Sequence, residues 1–243
     1  MRLFIHTILI LFSCLVVTNG LYAKSLKKRT STIHIGSTSV KLVQYTYGKG
    51  KFFIHLHENE TTAKRAALSY IKNHGGHLLT ITHNGERNIS FCLRNKFYSF
   101  DPNRIFTPKG IEQTLKSQGH YSSAAARKIQ KLAHAILKHI PREGKIIAVH
   151  NNKEYSMLDY FNSLHKDARA VHYIKQASLR NFYFVTKENG FCRLKSSNFN
   201  VVWQTKRPQD DGSLSVKLKK RQYINVEAAY DAYAIQLKML AYA

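Results

Sequence analysis

The stretch KIIAVH, residues 145–150, decides the fold class of this chain. Its four apolar residues, Ile146 to Val149, follow one another with no polar residue between them. A strand with one face in water alternates polar and apolar side chains, whereas a strand of a parallel sheet is covered on both faces and stays apolar. The pattern therefore predicts a parallel strand that ends at His150, just before the polar residues Asn151 and Asn152.

Helices and strands alternate on both sides of this strand. Helices are predicted from apolar residues at helical spacing and from capping or breaking residues at their ends, namely from Thr61 or Thr62 to Gly75, from about Ser123 to His139, and directly after Glu227, where Ala228 would begin a closing helix. Strands are predicted over Thr32–Tyr47 with a turn at Gly36-Ser37, Phe52–His57, His77–Thr82, Ile89–Leu93, Phe97–Phe100, Asn181–Thr186, Phe199–Trp203 and Tyr223–Val226. The order predicts one α/β domain with a mixed, largely parallel central sheet flanked by helices.

The first 23 residues have the layout of a secretory signal peptide. Arg2 precedes an apolar run from Leu3 to Val17, and Thr18-Asn19-Gly20 ends that run before the roughly 20 apolar residues that a membrane span needs. We expect cleavage after Ala23, with Gly20 as the alternative. The mature domain would then cover residues 24–243, would have no stable membrane span and would be periplasmic or secreted.

The chain is strongly basic, with 38 Lys and Arg against 14 Asp and Glu. Such a balance favours an anionic partner. The predicted export argues against nucleic acid, and so does the absence of an aromatic setting resembling an RNA-binding signature around the basic clusters. We therefore expect an anionic substrate. We also expect the protein to be a monomer.

Two cysteines, Cys92 and Cys192, remain after removal of the predicted signal peptide. In an oxidising compartment they could form one disulfide bond, and they could equally be two buried thiols. The sequence does not choose between these alternatives.

Three side chains near predicted strand ends could form a zinc site. His57 and Glu60 form an H-x-x-E motif in a turn, and His150 ends a second strand. A catalytic zinc ion takes three imidazole or carboxylate ligands and keeps one position for water. Ligand sites in α/β folds gather at the carboxyl ends of strands. His55 competes with His57 as a ligand, but only His57 has the carboxylate at the required spacing, and Glu227 is a carboxylate at another strand end.

Each of these residues also has a purely structural interpretation. His57 could be a surface residue beside Glu60 acting as a helix cap, and His150 could be a core residue packed under the sheet. Glu227 could be a carboxylate that is favoured at a helix N-terminus by the helix dipole. The zinc site is thus a hypothesis from residue types and spacing.

Four motifs occur in a specific order: His57-Glu58-Asn59-Glu60, Asp101-Pro102-Asn103-Arg104, Ala148-Val149-His150 and Asn225-Val226-Glu227. In this order they resemble the signature of the carboxypeptidase A-like zinc peptidases and of the related aspartoacylase and succinylglutamate desuccinylase enzymes, over roughly residues 51–230. The resemblance implies a zinc carboxypeptidase-like fold and Zn2+ held by His57, Glu60 and His150. It also implies that Glu227 is the general base.

The same resemblance implies that Asn103 and Arg104 hold a substrate carboxylate. Arg87 could polarise the scissile carbonyl. The alternative is that Arg87 is only a structural residue of a hairpin turn. Two features depart from the family pattern. Pro102 replaces a different residue, and no residue clearly matches the tyrosine that many of the peptidases place over the substrate, since Tyr155 and Tyr223 agree only in type.

The leading hypothesis is an exported zinc metallohydrolase, a carboxypeptidase or amidase that cleaves an amide bond near a substrate carboxylate, with peptidoglycan peptides as candidates. The alternatives are a deacylase of small N-acyl amino acids and a non-catalytic basic envelope-binding module. Bound metal and hydrolysis would separate the two enzymes from the module. Substrate size would separate the enzymes from each other.

Overall fold

The structure is a computed structural model that describes residues 25–162 and 166–243. The predicted signal peptide, residues 1–23, lies outside the described residues, so its cleavage stays a prediction. Within the described ranges, no helix combines the length and the apolar character needed to cross a bilayer.

The strands of the described residues form a large mixed sheet and a separate hairpin. They are β1 (Lys27–Ile35), β2 (Thr38–Tyr47), β3 (Lys51–His55), β4 (Gly76–Thr82), β5 (Ile89–Leu93), β6 (Lys96–Phe100), β7 (Ile146–Asn152), β8 (Ala168–His172), β9 (Phe182–Val185), β10 (Val201–Gln204) and β11 (Tyr223–Ala229). Nine of them form one sheet in the order β1-β2-β4-β3-β7-β11-β9-β10-β8, and β5 pairs with β6. The central strands β4, β3, β7 and β11 are parallel to one another.

Helices cover both faces of this sheet. They are α1 (Thr61–His74), α2 (Pro108–Ser117), α3 (Ser123–His139), α4 (Leu158–Phe161), α5 (Glu188–Ser196), α6 (Leu214–Lys217) and α7 (Tyr233–Tyr242), with a 3-10 turn at Pro102–Arg104. One apolar core includes residues of α2, α3 and the β5-β6 hairpin, and a second core includes residues of α1, α5 and α7. The predicted single α/β domain with a mixed sheet flanked by helices is confirmed.

Strand β7 has the surroundings that its sequence predicts. All seven of its residues are buried, and β3 and β11 pair with its two edges. Ala148 packs into one core while Ile147 and Val149 pack into the other. Apolar residues on both faces are therefore required, and they place His150 on the same face as Ala148.

Several predicted boundaries are wrong, and two of them bear on the candidate site. Strand β3 ends at His55, so His57 lies in the following turn. The closing helix begins at Tyr233 instead of Ala228. Strand β11 continues through Ala228 and Ala229 because these residues pair with the end of β7, and this sheet pairing overrides the helical spacing of the alanines.

The cysteines form no disulfide bond and are not buried. Cys92 and Cys192 are both free and exposed. Neither of the two arrangements considered from the sequence is present.

The start of α2 packs against the turn around Gly212. A Cβ atom on Gly110 would lie 2.2 Å from Gly212 Cα and 2.6 Å from the Arg104 carbonyl oxygen. The Phe106 amide donates to the Gly212 carbonyl at 2.9 Å, and the Leu214 amide donates to Asn103 Oδ1 at 3.1 Å. These contacts fix the segment that carries Asn103 and Arg104 against residues 210–214.

Gly110→Ala should therefore destabilise the protein by about 1–3 kcal/mol, since overpacking outweighs the better helix propensity of alanine. Gly190→Ala is a matched control, because Gly190 is also the third residue of its helix and its added Cβ would lie 3.7 Å from Val185. This control should be neutral or stabilising by up to about 1 kcal/mol. Urea unfolding measures both variants, and equal stabilities would contradict the close glycine contact.

Candidate metal centre

The three predicted metal ligands converge inside the protein. His57 follows β3, Glu60 occupies the N-cap position of α1, and His150 lies in β7. Their exposed fractions are only 1%, 2% and 2%. Glu60 oxygens lie 2.8 Å from His57 Nδ1 and 2.9 Å from His150 Nδ1, and the two Nδ1 atoms are 3.2 Å apart. Two imidazoles and one carboxylate thus point to a common centre.

This donor set fits a zinc ion. Two nitrogens bound to one tetrahedral zinc at about 2.0–2.1 Å lie roughly 3.3 Å from each other, and the two Nδ1 atoms have nearly that separation. Within the described part of the chain, His57, Glu60 and His150 form the group of histidine and carboxylate donors close enough to share an ion. Glu60 makes no side-chain capping hydrogen bond, so its carboxylate serves this centre and not the helix.

The turn after β3 brings His57 and Glu60 together, and His55 supports it from behind. The Glu60 amide donates to the His57 carbonyl at 3.1 Å and closes the turn. His55 Nε2 donates to the Glu60 carbonyl at 2.9 Å, and its Nδ1 lies 3.0 Å from Thr80 Oγ1. Burial lowers the pKa of His55 to about 4, which keeps the ring neutral. His55 therefore holds the main chain at Glu60 and does not face the ion.

Asp101 belongs to the centre, although it was not among the predicted site residues. His57 Nε2 donates to Asp101 Oδ1 at 2.8 Å, the contact that orients many metal-binding histidines. Burial alone would lower the pKa of His57, but Glu60 and Asp101 reverse this effect and raise the pKa to about 9. Asp101 is the first residue of the motif Asp101-Pro102-Asn103-Arg104, and its place in that motif is the sequence signal that could have identified it.

Arg87 points into the centre from the segment between β4 and β5. Its Nη1 donates to Glu60 Oε1 at 2.7 Å, and its Nη2 lies 3.5 Å from Asp101 Oδ2. The Arg87 side chain remains 48% exposed. It therefore reaches from the ligand group to the open side of the site, where a substrate would enter.

Glu227 lies beside the ligand group inside β11, directly opposite His150 in the sheet register. It is only 5% exposed. Asn152 and Asn225 donate to its two oxygens at 3.2 and 3.0 Å. Burial raises the pKa of Glu227, and the nearby Glu60 carboxylate acts in the same direction. Glu227 is thus a buried, oriented carboxylate within a strand and not a carboxylate at a helix N-terminus.

Asn103 and Arg104 lie on the wall next to the residues 210–214. The Asn103 side-chain oxygen accepts the Leu214 amide, so this end of its amide is already engaged. Arg104 Nη1 lies 3.2 Å from Asp211 Oδ2, and the arginine side chain is 41% exposed. The arginine is accessible, and it shares its charge with a carboxylate of its own chain.

One cavity of about 910 Å³ connects the predicted site residues. It is lined by His57, Glu60, Arg87, Asn103, Arg104, His150 and Glu227, and not by His55 or Asp101. It extends from the three ligands past Glu227 and Asn225 to Phe184 of β9 and Gln204 of β10. Tyr155 and Tyr223 both line it, although Tyr223 is almost completely buried. The volume is in the upper part of the range that ligand sites occupy.

Comparison of the sequence with protein-family models and with curated proteins gives no match. Among solved structures, the chain is similar to the crystal structure of an aspartoacylase family protein from Mesorhizobium loti, with a TM-score of 0.45 and 12% sequence identity. The similarity covers 93% of this chain and 68% of that chain.

We expect the protein to bind about one zinc ion per chain. His57→Ala and His150→Ala each remove one of three ligands and should abolish tight binding. Asp101→Asn keeps the size of the side chain but loses the carboxylate on His57, and zinc affinity should fall about 10- to 100-fold. Glu112→Gln, on the exposed surface, should have no effect. Metal analysis and chelator competition measure these affinities, and tight zinc binding by His150→Ala would refute the assignment.

Proposed function

We propose that this protein is a zinc-dependent hydrolase that cleaves an amide bond near a carboxylate of its substrate. The observation that carries the proposal is the place of Glu227, a buried carboxylate paired in register with His150 of the three-ligand group. A carboxylate with a raised pKa beside a metal centre is an arrangement suited to general-base catalysis.

The side chains divide the reaction between them. His57, Glu60 and His150 would hold a zinc ion, which would supply Lewis-acid chemistry to the hydrolysis. Glu227 accepts the proton of the attacking water and returns it to the leaving amine. Arg87, which reaches past Glu60 to the open side of the site, donates to the carbonyl oxygen as negative charge develops there.

The amides of Asn152 and Asn225 fix Glu227 for this task. Each donates to a different carboxylate oxygen, so the carboxylate cannot rotate without losing both hydrogen bonds. Orientation of a base before the substrate arrives lowers the entropic part of the barrier.

Arg104 is proposed to bind the substrate carboxylate. Its Nη1 is engaged by Asp211 and by the Asn103 carbonyl, and the rest of the guanidinium offers further N–H donors for a carboxylate. Asn103 supports this wall through its hydrogen bond to Leu214.

We propose that the enzyme is a carboxypeptidase or amidase and that its substrates are peptides outside the cytoplasm. Peptidoglycan peptides are the candidates. The signal-like N-terminal sequence supports the location, and the large cavity favours a peptide over a small N-acyl amino acid. A deacylase of small N-acyl amino acids is the alternative enzyme. The other alternative is a basic binding module without turnover. A protein that binds no zinc and shows no activity would support this alternative.

Glu227→Gln keeps the shape of the side chain but removes its capacity to accept a proton. We expect kcat to fall about 10²- to 10⁴-fold while zinc content and thermal stability change little. Glu143→Gln, an exposed position, serves as the control with unchanged activity. Peptide hydrolysis is followed together with metal analysis, and full activity in Glu227→Gln would exclude this residue as the base.

Arg104→Ala should lower kcat/KM while zinc remains bound, because a charge-assisted contact to the substrate is lost. The loss of transition-state stabilisation should be about 1.5–3 kcal/mol. Arg104→Lys should recover only part of this loss, since lysine lacks the planar fork. The decisive measurement uses a substrate and its analogue with an amidated C-terminus. If both substrates lose the same amount of kcat/KM on mutation, Arg104 does not read the carboxylate.

A further inference from the structure

Acidic side chains outnumber lysine and arginine in the lining of the cavity, unlike in the chain as a whole. Lys and Arg outnumber Asp and Glu by 38 to 14. The cavity reverses this balance, because six carboxylates line it but only three basic side chains do, the carboxylates being Glu60, Glu154, Asp159, Asp167, Asp211 and Glu227. Glu60 and Glu227 belong to the metal centre, and the other four lie beyond it. A cleft lined by one sign of charge concentrates ligands of the opposite sign.

Gln204 provides a second and independent indication of a ligand. It ends β10, is only 3% exposed and lines the cavity. Its Oε1 has no hydrogen-bond partner among the described residues. An unpaired buried acceptor costs about 1–3 kcal/mol, so this position calls for a donor that a bound molecule would bring.

Asn225 supports the same conclusion and has a fixed orientation. Its Nδ2 donates to Glu227 Oε1 at 3.0 Å, which directs its Oδ1 to the other side. That oxygen is also buried without a partner among the described residues. Two amide oxygens of the cavity wall are therefore able to accept hydrogen bonds from a bound molecule. Ammonium and guanidinium groups suit them, because these groups have hydrogen-bond donors and no acceptors.

Asp167 adds a carboxylate at the end of the cavity where Gln204 lies. It immediately precedes β8, whose residue Ala168 pairs with Gln204. The Thr205 amide donates to the Asp167 carbonyl at 2.9 Å, and the Gln209 amide donates to Asp167 Oδ1 at 3.1 Å. The main chain of Asp167 is thus held by the residue after Gln204, and its carboxylate is held by the segment that follows β10.

This end of the cavity is distant from the metal centre. The pairings of β11 with β9 and of β9 with β10 place Gln204 two strands away from Glu227 and four residues further along the sheet. With a strand spacing of about 4.8 Å and a rise of about 3.3 Å per residue, the two Cα atoms lie roughly 16 Å apart. About four or five residues of extended chain cover this distance, and fewer suffice when a long side chain spans part of it.

We propose that Asp167 and Gln204 bind the ammonium or guanidinium group of an extended, peptide-like substrate. The inference rests on the proposed hydrolase function and specifies its substrate class. The substrate would carry a carboxylate for Arg104 and a positive charge for Asp167 and Gln204. A small N-acyl amino acid at the metal centre would be too short to reach Asp167 and Gln204 as well.

The test measures binding of matched peptides to zinc-loaded Glu227→Gln protein, in which turnover does not interfere. Acetylated tetra-alanine peptides carry lysine, norleucine or glutamate at each position in turn. Norleucine keeps the length of the lysine stem without its charge. At one position we expect lysine to bind at least 10-fold more tightly than norleucine, with glutamate weakest.

The lysine preference should depend on the two proposed residues. Asp167→Asn and Gln204→Leu should each reduce it to less than about 3-fold and leave norleucine binding unchanged. Gln204→Glu should increase the preference and guards against simple misfolding. Asp231→Asn, the same exchange at an exposed position, is the control and should leave the preference intact. Equal binding of lysine and norleucine peptides at every position, or a preference that survives Asp167→Asn, would overturn the inference.

Turnover of the same peptides by wild-type protein separates this inference from the proposed function. A lysine preference in binding without hydrolysis would support the cation site and remove the hydrolase. Hydrolysis with equal kcat/KM for lysine and norleucine peptides would retain the hydrolase and remove the cation site.

Discussion

The carboxylate of Glu60 is the charge on which the centre depends. Burial alone would raise the pKa of Glu60, but the adjacent His57 and His150 lower it well below its usual range. A buried charge without partners is strongly unfavourable, so the turn after β3 and strand β7 have to stay together. Arg87 and the main-chain contact from His55 complete the surroundings of Glu60. The same contacts that stabilise this charge also bring two imidazole nitrogens within 3.2 Å of each other.

The sheet topology explains why these partners meet. Strand β7 lies between β3 and β11 in parallel pairing, so the carboxyl ends of all three strands lie at one edge. Each strand contributes one part: the turn with His57 and Glu60 follows β3, the second imidazole comes from β7, and the carboxylate proposed as the base comes from β11. Asp101 approaches from a separate segment and binds the outer nitrogen of His57. The centre is therefore held by the turn after β3 together with β7 and β11, and Asp101 and Arg87 reach it from other segments of the chain.

The parts of the fold that could be predicted from the sequence are those with a clear periodicity. The apolar run of β7 and the helical spacing of α3 reflect burial directly, and the boundaries of α3 were predicted as Ser123–His139. The order of the sequence motifs predicts that four of their residues meet at one site. The structure places all four around one cavity, namely His57, Glu60, His150 and Glu227. The contacts of Asp101, the direction of Arg87 and the unpaired oxygen of Gln204 depend on partners far away in the chain. No local pattern encodes such partners, and the end of β11 was mistaken for the same reason.

The contact between Gly110 and Gly212 fixes one part of the cavity wall. It joins the segment of Asn103 and Arg104 to the turn of Asp211 with backbone atoms in direct contact, so the arginine and its carboxylate partner move as one body. A Cβ atom on Gly212 would lie 2.3 Å from the Arg104 carbonyl oxygen and 2.5 Å from Gly110 Cα. A side chain at either glycine would push these two segments apart and would move the guanidinium away from its place in the cavity wall, so the glycine pair should resist replacement.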